Sequence, residues 1–379
     1  MKIVADENMP LVRELFGSFG EVVTAPGREI DAALVADADV LLVRSVTRVD
    51  SRLLAGSRVR FVGTATIGTD HLDLAWLTSR AIAWASAPGC NAAAVADYVM
   101  AALSAVQPDW VRRRVAIIGC GNAGGGLYRR LAALGVDTVC FDPFLDDSSG
   151  LPLVGFDDAL DADILCLHTP LTRDGPHPSW HLFDAATLAR LKPDTVLLNA
   201  GRGEVIDNRA LLGAITGGRI RAVLDVWEGE PHIDTRLLDR VALGTPHIAG
   251  YSLEGRLRGS LMVHDGLRHW LGEGGPVTLA SLLTRLPGVP AAPQALSCTG
   301  NSFLAESVLA AYDPRRDCRS LREAIAGAAP DMAGAAFDGL RKHYPWRREF
   351  SHFSLPDRLP AELRRQLLAA GFSAGAAPC

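Results

Sequence analysis

Residues 114–131 read RVAIIGCGNAGGGLYRRL and decide the fold, because they join a strand-like run to a helical pattern through a glycine-rich turn. Gly119 ends the apolar run, and Gly121 and Gly124 complete a G-x-G-x-x-G pattern. In a β-α-β unit the first glycine permits a tight turn, the second lets the backbone approach a pyrophosphate, and the third allows the helix to pack closely on the strand. The stretch therefore predicts a dinucleotide-binding loop.

An acidic residue stands where such a loop requires one. Asp142 ends the next strand-like run, TVCFD, at about the 20-residue distance that a ribose ligand needs. A carboxylate there accepts hydrogen bonds from the ribose hydroxyls and repels a 2′-phosphate, and neither Pro143 nor Phe144 supplies an arginine for that phosphate. The sequence therefore predicts NAD, rather than NADP, as the cofactor.

Short apolar runs alternate with helical patterns on both sides of the loop. One series begins with KIVAD at residue 2 and ends with AIAWASA at 81–87, and a second runs from residue 114 to VALGTPH at 241–247. Such alternation is typical of a parallel sheet with crossover helices. We therefore predict an α/β fold with two doubly wound parallel-sheet (Rossmann-like) domains.

The segments between and after the two series predict the domain boundaries. An Ala-rich helical pattern begins at Asn91, a candidate N-cap, and links the series, while a second helical pattern follows Gly250. A stretch rich in Gly and Pro near 272–293 precedes a last region of helical pieces. We predict a substrate-binding domain over 1–92 with a return helix at 251–272, an NAD-binding domain over 93–250, and a small C-terminal α+β domain over 281–379.

Composition argues against several classes of protein. The chain has 379 residues, of which 48% are hydrophobic and 21% charged, and this balance predicts a buried core rather than disorder. The formal net charge of −5 argues against nucleic-acid binding, which depends on many Lys and Arg contacts to phosphate. The sequence has no apolar run of membrane-spanning length, and its acidic beginning does not fit a signal peptide. We expect a cytoplasmic protein with neither a nucleic acid nor a membrane as its partner.

The seven cysteines are odd in number, widely scattered and without a C-x-x-C pair. This pattern predicts neither a disulfide framework nor a zinc site. We expect reduced thiols and no bound metal.

Three side chains suited to acid–base chemistry follow successive strand-like runs of the second series. They are Arg202 in NAGRG, Glu230 in DVWEGEP and His247 in GTPHIAG. Loops at the carboxyl ends of parallel strands converge on one crevice, and oxidation of a 2-hydroxy acid needs a base, a cation and a carboxylate that orients the base. We predict these roles for His247, Arg202 and Glu230 respectively. Gly201 and Gly203 are interpreted as leaving room for substrate and cofactor.

Two further polar residues end strand-like runs. His168, in CLHTP, is interpreted as lining the cofactor cleft, with ordinary packing as the alternative. Asp225, in VLDVW, is interpreted as lying near the nicotinamide, with a structural hydrogen bond as the alternative.

These motifs give the chain a resemblance to the D-isomer-specific 2-hydroxyacid dehydrogenases. The resemblance is carried by GCGNAG, CLHTPLT, NAGRGEVID, LDVWEGEP and TPHIAG. A narrower resemblance, to one branch of that family, extends over almost the whole chain through ADENMP, VRSVT, FVGTATIGTDH, APGCNA, GTPHIAGYSLEG and YDPRRDCRSLR. It implies NAD-dependent oxidation of 4-phospho-D-erythronate in the biosynthesis of pyridoxal 5′-phosphate, by a homodimer to whose assembly the C-terminal domain contributes.

The resemblance also implies site residues. The catalytic Arg, Glu and proton-donating His of the family fall on Arg202, Glu230 and His247. Its substrate contacts fall on Ser45, Thr66 and Tyr251. Besides the glycine loop, its cofactor contacts fall on Asn122, Ala123, Asp142, Thr169, Ala200, Asp225 and Gly250. Arg44, beside Ser45, is predicted from its position alone to bind the substrate phosphate.

Two alternatives stay open at this point. A dehydrogenase for another D-2-hydroxy acid, such as 3-phosphoglycerate, would carry the same catalytic residues. A non-catalytic, NAD-responsive binding protein would keep the fold, although such a role would not require Arg202, Glu230 and His247 together.

Overall fold

The structure is a computed structural model that describes residues 1–273, 278–283, 286, 294–297 and 303–374. The chain forms two compact units. Unit 1 comprises Met1–Asn91 and Ser252–Ala291, and unit 2 comprises Ala92–Tyr251 and Ala292–Cys379. The predicted boundary at residue 281 and the dimerisation role of the C-terminal region stay predictions.

The strands of the described residues are β1 (Lys2–Asp6), β2 (Glu21–Ala25), β3 (Val40–Val43), β4 (Phe61–Thr64), β5 (Ala83–Ala85), β6 (Val115–Ile118), β7 (Thr138–Phe141), β8 (Ile164–Leu167), β9 (Thr195–Asn199), β10 (Ile220–Leu224), β11 (Leu243–Gly244), β12 (Gln294–Ala295) and β13 (Phe353–Ser354).

The α-helices of the described residues are α1 (Val12–Phe16), α2 (Ala32–Val35), α3 (Ser51–Leu54), α4 (Leu74–Ser79), α5 (Ala92–Val106), α6 (Asn122–Ala133), α7 (Phe156–Leu160), α8 (Ala185–Arg190), α9 (Asn208–Thr216), α10 (Thr235–Arg240), α11 (Leu253–Leu271), α12 (Leu279–Leu283), α13 (Leu304–Ala311), α14 (Arg315–Gly327), α15 (Ala333–Lys342) and α16 (Ala361–Ala370). Among the described residues, no helix is both long and apolar enough to span a membrane.

Unit 1 is built on a parallel sheet in the order β2-β1-β3-β4-β5, which is a doubly wound arrangement. Strands β3 and β4 are buried throughout, as expected of strands covered on both faces. The segment predicted to return after Gly250 forms α11, whose Ser252 cap accepts a hydrogen bond from the Gly255 amide at 2.9 Å. Helix α11 lies against β4 so closely that a Cβ at Gly63 would stand 2.3 Å from Val263.

Unit 2 contains a parallel sheet in the order β11-β10-β9-β8-β6-β7. An isolated parallel bridge between Cys140 and Leu153 adds one more position beyond β7. We number the strands of this sheet along the chain, with β6 first, β7 second, the bridge at Leu153 third, and β8, β9 and β10 fourth to sixth. Their order across the sheet is then 3-2-1-4-5-6, which is the strand order of a dinucleotide-binding Rossmann fold. The two predicted parallel sheets are therefore confirmed.

The described part of the C-terminal region is mixed α and β, because helices α13–α16 accompany the parallel pair β12 and β13. Its buried side chains Val308, Phe350 and Leu367 join the same apolar cluster as Val99 of α5 and Ile117 of β6. The C-terminal region therefore shares a core with the sheet of unit 2.

Aspartates begin many of the short helices. In unit 1, Asp31, Asp50 and Asp73 each accept a hydrogen bond from a main-chain amide in the first turn of the helix that follows. In unit 2, Asp184 and Asp207 do the same for α8 and α9. Side-chain caps of this kind satisfy amides that have no partner within the helix, so short sequences can form helices.

Candidate active site

The glycine loop between β6 and α6 has the geometry that the sequence predicts. Gly119 adopts φ +86°, and a Cβ there would lie 2.8 Å from the Thr169 amide nitrogen. A Cβ at Gly124 would lie 2.1 Å from the Gly119 carbonyl oxygen. By contrast, no described atom lies within 4 Å of a Cβ placed at Gly121. Two glycines thus serve the packing of the protein, and the middle one borders open space beside the amino end of α6, where an anion is favoured.

Side chains around this loop fit a bound dinucleotide. Asp142 is anchored beside the loop, because its Oδ2 accepts a hydrogen bond from the Cys120 amide at 2.9 Å and its Oδ1 accepts one from Phe144 at 3.1 Å. The Thr169 hydroxyl and both ring nitrogens of His168 are buried, and no described residue is their hydrogen-bond partner. Buried polar atoms normally have partners, so these atoms fit a site that a polar ligand completes.

A substitution at Gly121 tests this assignment of the cofactor loop. We expect Gly121→Ala to weaken NAD binding by about 10- to 100-fold, because a methyl group would occupy the space for the pyrophosphate, while the thermal unfolding midpoint stays close to that of the wild type. Titration calorimetry and a thermal melt measure both quantities. Gly124→Ala is the matched comparison, since its methyl group would collide with the protein and lower the midpoint. Unchanged NAD affinity in Gly121→Ala would contradict the assignment.

His168 is held neutral by its surroundings. Its ring nitrogens are buried, and burial lowers the pKa of His168 to about 4. A neutral imidazole cannot repel a cationic nicotinamide ring, and it retains one donor and one acceptor for a ligand. The predicted position in the cofactor cleft stays a prediction.

The pKa of His168 predicts how stability depends on pH. The unfolded chain protonates this ring near pH 6.5, whereas the folded chain does so near pH 4, so the free energy of unfolding decreases as the pH falls through this interval. The full loss amounts to about 3 kcal/mol once the pH is below 4, and about 2 kcal/mol of it falls between pH 7 and pH 5. Urea unfolding of the protein without cofactor at pH 7 and pH 5 measures that part. We expect His168→Gln to lose less stability than the wild type between these pH values, and equal losses would contradict the assignment.

The predicted base and its orienting carboxylate are in direct contact. Glu230 Oε2 lies 2.7 Å from His247 Nδ1, within hydrogen-bond distance. Glu230 Oε1 accepts a hydrogen bond from the Trp227 amide at 2.8 Å, which fixes the carboxylate between its own loop and the histidine. With Nδ1 donating to Glu230, the other ring nitrogen of His247 is left as a proton acceptor.

The charge of Glu230 is maintained despite its burial. Burial favours the neutral acid, but the neighbouring His247 ring, the Arg341 guanidinium and the Trp227 amide outweigh it and lower the pKa of the Glu230 carboxyl. The carboxylate is therefore ionised at neutral pH, as the predicted role of stabilising a protonated His247 requires.

Asp225 holds the loop that carries His247. The residue is 1% exposed, and its carboxylate accepts hydrogen bonds from the Ile248 amide and the Thr245 hydroxyl, each at 2.7 Å, and from the Ala249 amide at 2.9 Å. His247 itself has φ +57°, a left-handed conformation that costs of order 1–3 kcal/mol for a residue with a side chain. These hydrogen bonds stabilise that conformation. The structural hydrogen bonds that were considered as the alternative role of Asp225 are thus present. A contact of Asp225 with NAD stays a prediction.

The Arg202 loop is braced by Asn199, which is buried at the end of β9. The Asn199 side-chain amide donates to the Arg202 carbonyl at 2.8 Å, and its oxygen accepts from the Gly201 amide at 3.0 Å. A Cβ at Gly203 would lie 2.0 Å from the Trp227 carbonyl carbon and oxygen. The loops of Arg202 and Glu230 therefore touch at this glycine. The interpretation that Gly203 leaves room for a ligand was wrong, because the Trp227 main chain fills that space.

The predicted cofactor contacts all lie in unit 2. Asn122 and Ala123 begin α6, and the others follow the strands of the same sheet. Those that follow strands are Asp142 after β7, Thr169 after β8, Ala200 after β9, Asp225 after β10 and Gly250 after β11. This placement matches the convergence of loops expected at the carboxyl ends of parallel strands.

The predicted substrate contacts are divided between the units. Ser45 and Arg44 follow β3 of unit 1, where Ser45 is exposed and Arg44 Nε lies 3.2 Å from the buried Asp6 carboxylate. Thr66 follows β4, and its hydroxyl donates to the Gly68 carbonyl at 3.0 Å. The fourth predicted contact, Tyr251, belongs to unit 2 together with the predicted catalytic residues.

One charged residue beside the site was missed in the sequence. Arg341 lies in α15 with a side chain only 10% exposed, and its guanidinium is 5.8 Å from the centre of the Tyr251 ring. The C-terminal helical pieces carry no recognisable spacing that would have pointed to it. Asn199 and Trp227, by contrast, lie inside two of the motifs quoted above and were simply not assigned.

Comparisons with known proteins show which family the chain belongs to. The sequence model of the NAD-binding domain of D-isomer specific 2-hydroxyacid dehydrogenases matches residues 100–249, and that of a domain of unknown function matches residues 291–371. Proteins named erythronate-4-phosphate dehydrogenase are similar over nearly their whole length. The one from Teredinibacter turnerae is 48% identical and covers 98% of this chain and 99% of its own, and the one from Saccharophagus degradans is 49% identical with the same coverage.

Solved structures agree at the level of the fold. A D-lactate dehydrogenase from Treponema pallidum is 26% identical, with a TM-score of 0.58, and covers 72% of this chain and 98% of its own. An NAD-dependent formate dehydrogenase from Staphylococcus aureus, solved with NAD, is 24% identical, with a TM-score of 0.61, and covers 73% of this chain and 97% of its own.

Proposed function

The chain belongs to the erythronate-4-phosphate dehydrogenase family, within the D-isomer-specific 2-hydroxyacid dehydrogenases, and on that premise we propose that it oxidises 4-phospho-D-erythronate to (R)-3-hydroxy-2-oxo-4-phosphooxybutanoate. The enzyme uses NAD as its cofactor. The observation that carries the proposal is the contact between Glu230 and His247, at 2.7 Å, in the unit that also holds the dinucleotide loop. The product is proposed to serve the biosynthesis of pyridoxal 5′-phosphate.

Each of the three proposed catalytic residues has its own role in the oxidation at C2. His247 takes the proton of the C2 hydroxyl through the ring nitrogen that does not face Glu230, and Glu230 stabilises the resulting imidazolium. Arg202 binds the substrate carboxylate, for which its planar guanidinium is suited, and orients C2. NAD, when bound, supplies the acceptor for the hydride that leaves C2.

The residues of unit 1 are proposed to bind the rest of the substrate. Ser45 and Thr66 offer hydroxyls after neighbouring strands β3 and β4, and Tyr251 offers a third from unit 2. Arg44 is proposed to bind the phosphate, since its ion pair with Asp6 holds the guanidinium in place after β3.

A substitution tests the role of Arg44. We expect Arg44→Ala to raise the KM for 4-phospho-D-erythronate by about 10- to 100-fold, since a charged hydrogen bond to the phosphate would be lost, and to change the KM for unphosphorylated D-erythronate much less. Steady-state assays of NAD reduction with both acids measure the difference. Arg48→Ala is the control, because Arg48 is largely exposed and pairs with Asp50 at the surface. Equal effects of Arg44→Ala on both substrates would remove the assignment.

Reduction of NAD, followed by its absorbance, tests the proposed reaction directly. Purified protein is mixed with 4-phospho-D-erythronate or 3-phosphoglycerate, in single turnover and with a 2-oxo acid present to re-oxidise the cofactor. Reduction with the erythronate alone would support the proposal. Reduction only with 3-phosphoglycerate would replace the substrate, and NAD binding without reduction in either case would favour the non-catalytic alternative.

A homodimer in the cytoplasm is proposed as the working form. Large apolar side chains of the C-terminal region are exposed, among them Phe303 (74%), Met332 (53%) and Trp346 (47%), and a second copy could cover them. The described cysteines that are free are all buried, which is compatible with a reducing compartment. Light scattering of the full-length protein tests the dimer, and a single-chain mass would contradict it.

A further inference from the structure

Helix α15 of the C-terminal region lies against the loop that carries Glu230. A Cβ at Gly334 would stand 2.5 Å from the His232 ring, so the helix and this loop are in close contact. Arg341 follows Gly334 by about two helical turns and therefore lies on the same face of α15. The missing side chain at Gly334 allows the helix to bring Arg341 to the catalytic loop.

The surroundings of Arg341 are those of a site residue rather than a surface arginine. Its guanidinium stands 5.8 Å from the centre of the Tyr251 ring, within the range of a cation–π contact. Its side chain is 10% exposed, Nη1 lies 3.8 Å from Asp338, and Nε is buried with no acceptor among the described residues. A buried guanidinium without a full set of acceptors is costly, so its retention here points to a role.

We infer that Arg341 is a positioning residue of the active site, which fixes the Tyr251 ring in place for the acidic substrate from a helix that packs on the Glu230 loop. The inference rests on the proposed function, because Tyr251 is a proposed substrate contact. The Tyr251 ring also makes an edge-on contact with Tyr344, whose ring centre is 6.0 Å away. The charge also acts on Glu230, since it is one of the groups that offset burial and lower the pKa of that carboxyl.

Three variants of the full-length protein separate this role from general packing. Arg341→Met removes the charge and keeps an extended side chain, and Arg341→Lys keeps the charge. Arg322→Met is the matched control, because Arg322 also has a buried Nε in the C-terminal region but donates to the carbonyls of Leu238 and Val241. If Arg341→Met does not fold, the role of Arg341 is tested with Arg341→Lys instead. Its KM and its Tyr251 NMR signal are then compared with those of the wild type and of Arg322→Met.

Kinetics give the first readout. We expect Arg341→Met to raise the KM for 4-phospho-D-erythronate by about 3- to 30-fold, with a smaller change in kcat, because the cation–π contact that orders Tyr251 is lost. Tyr251→Phe removes the hydroxyl that Arg341 is inferred to position, so the double variant should be no worse than Tyr251→Phe alone. Multiplied effects in the double variant, or an equal rise of KM in Arg322→Met, would overturn the role.

Tyrosine NMR gives a readout that needs no substrate. The chain has five tyrosines, so signals of 13Cζ-labelled tyrosine can be assigned through single Phe substitutions. We expect the Tyr251 signal to shift in Arg341→Met, to shift less in Arg341→Lys, and to stay in place in Arg322→Met. An unmoved Tyr251 signal in Arg341→Met overturns the role of Arg341, whatever the substrate. Failure of the wild type to oxidise 4-phospho-D-erythronate overturns the proposed function instead, so the two failures are distinct.

Discussion

Replacement of His247 by Ala is expected to lower kcat for NAD reduction by about 10²- to 10⁴-fold, because the substrate hydroxyl loses the group that accepts its proton. Single-turnover and steady-state absorbance measure the loss. The NAD dissociation constant serves as the control, since His247 is not among the proposed cofactor contacts and the glycine loop is untouched. A variant that retains more than about a tenth of the wild-type kcat would show that another group removes the proton.

The partner substitution Glu230→Gln tests the contact itself. Gln keeps the size of the side chain but removes the charge, and its amide favours the wrong tautomer of the histidine, so a loss of similar order is expected. Since both residues act on one proton transfer, the double variant should be about as slow as His247→Ala alone. Losses that multiply would mean that the 2.7 Å contact between Glu230 and His247 has no part in catalysis.

Replacement of Gly203 by Ala is expected to disturb both stability and catalysis. A methyl group there would lie 2.0 Å from the Trp227 carbonyl group, so the Arg202 loop must move away from the Glu230 loop. We expect the free energy of unfolding to decrease by about 1–3 kcal/mol and kcat to decrease by at least about tenfold, because the cation and the base are no longer held in one geometry.

A second glycine gives the control for this prediction. Gly213 is an exposed residue of α9, and no described atom lies within 4 Å of a Cβ placed there. Gly213→Ala should leave kcat unchanged and raise stability by up to about 1 kcal/mol, since alanine favours the helix. Urea unfolding and steady-state kinetics compare the two variants. If Gly203→Ala behaves like Gly213→Ala, the contact between the two loops does not matter.

The order of strands, loops and helices could be predicted because each of its signals is local. The G-x-G-x-x-G turn, the apolar runs and Asp142 each depend on neighbours within a few residues or on a regular repeat. Parallel pairing then brings the ends of successive strands to one edge of a sheet, which is why Arg202, Glu230 and His247 could be grouped although they are far apart in the chain. Both parallel sheets and the contact between Glu230 and His247 follow from these signals.

Other features depend on contacts between segments whose spacing carries no pattern. The space beside Gly203 is filled by Trp227, the carboxylate of Asp225 holds the His247 loop, and Arg341 reaches Tyr251 from a helix that follows in the C-terminal region. Such contacts are set by how helices and loops pack in three dimensions, where a difference of one ångström decides whether a glycine faces a ligand or the main chain. Local sequence specifies which residues are available for chemistry, whereas packing decides which of them meet.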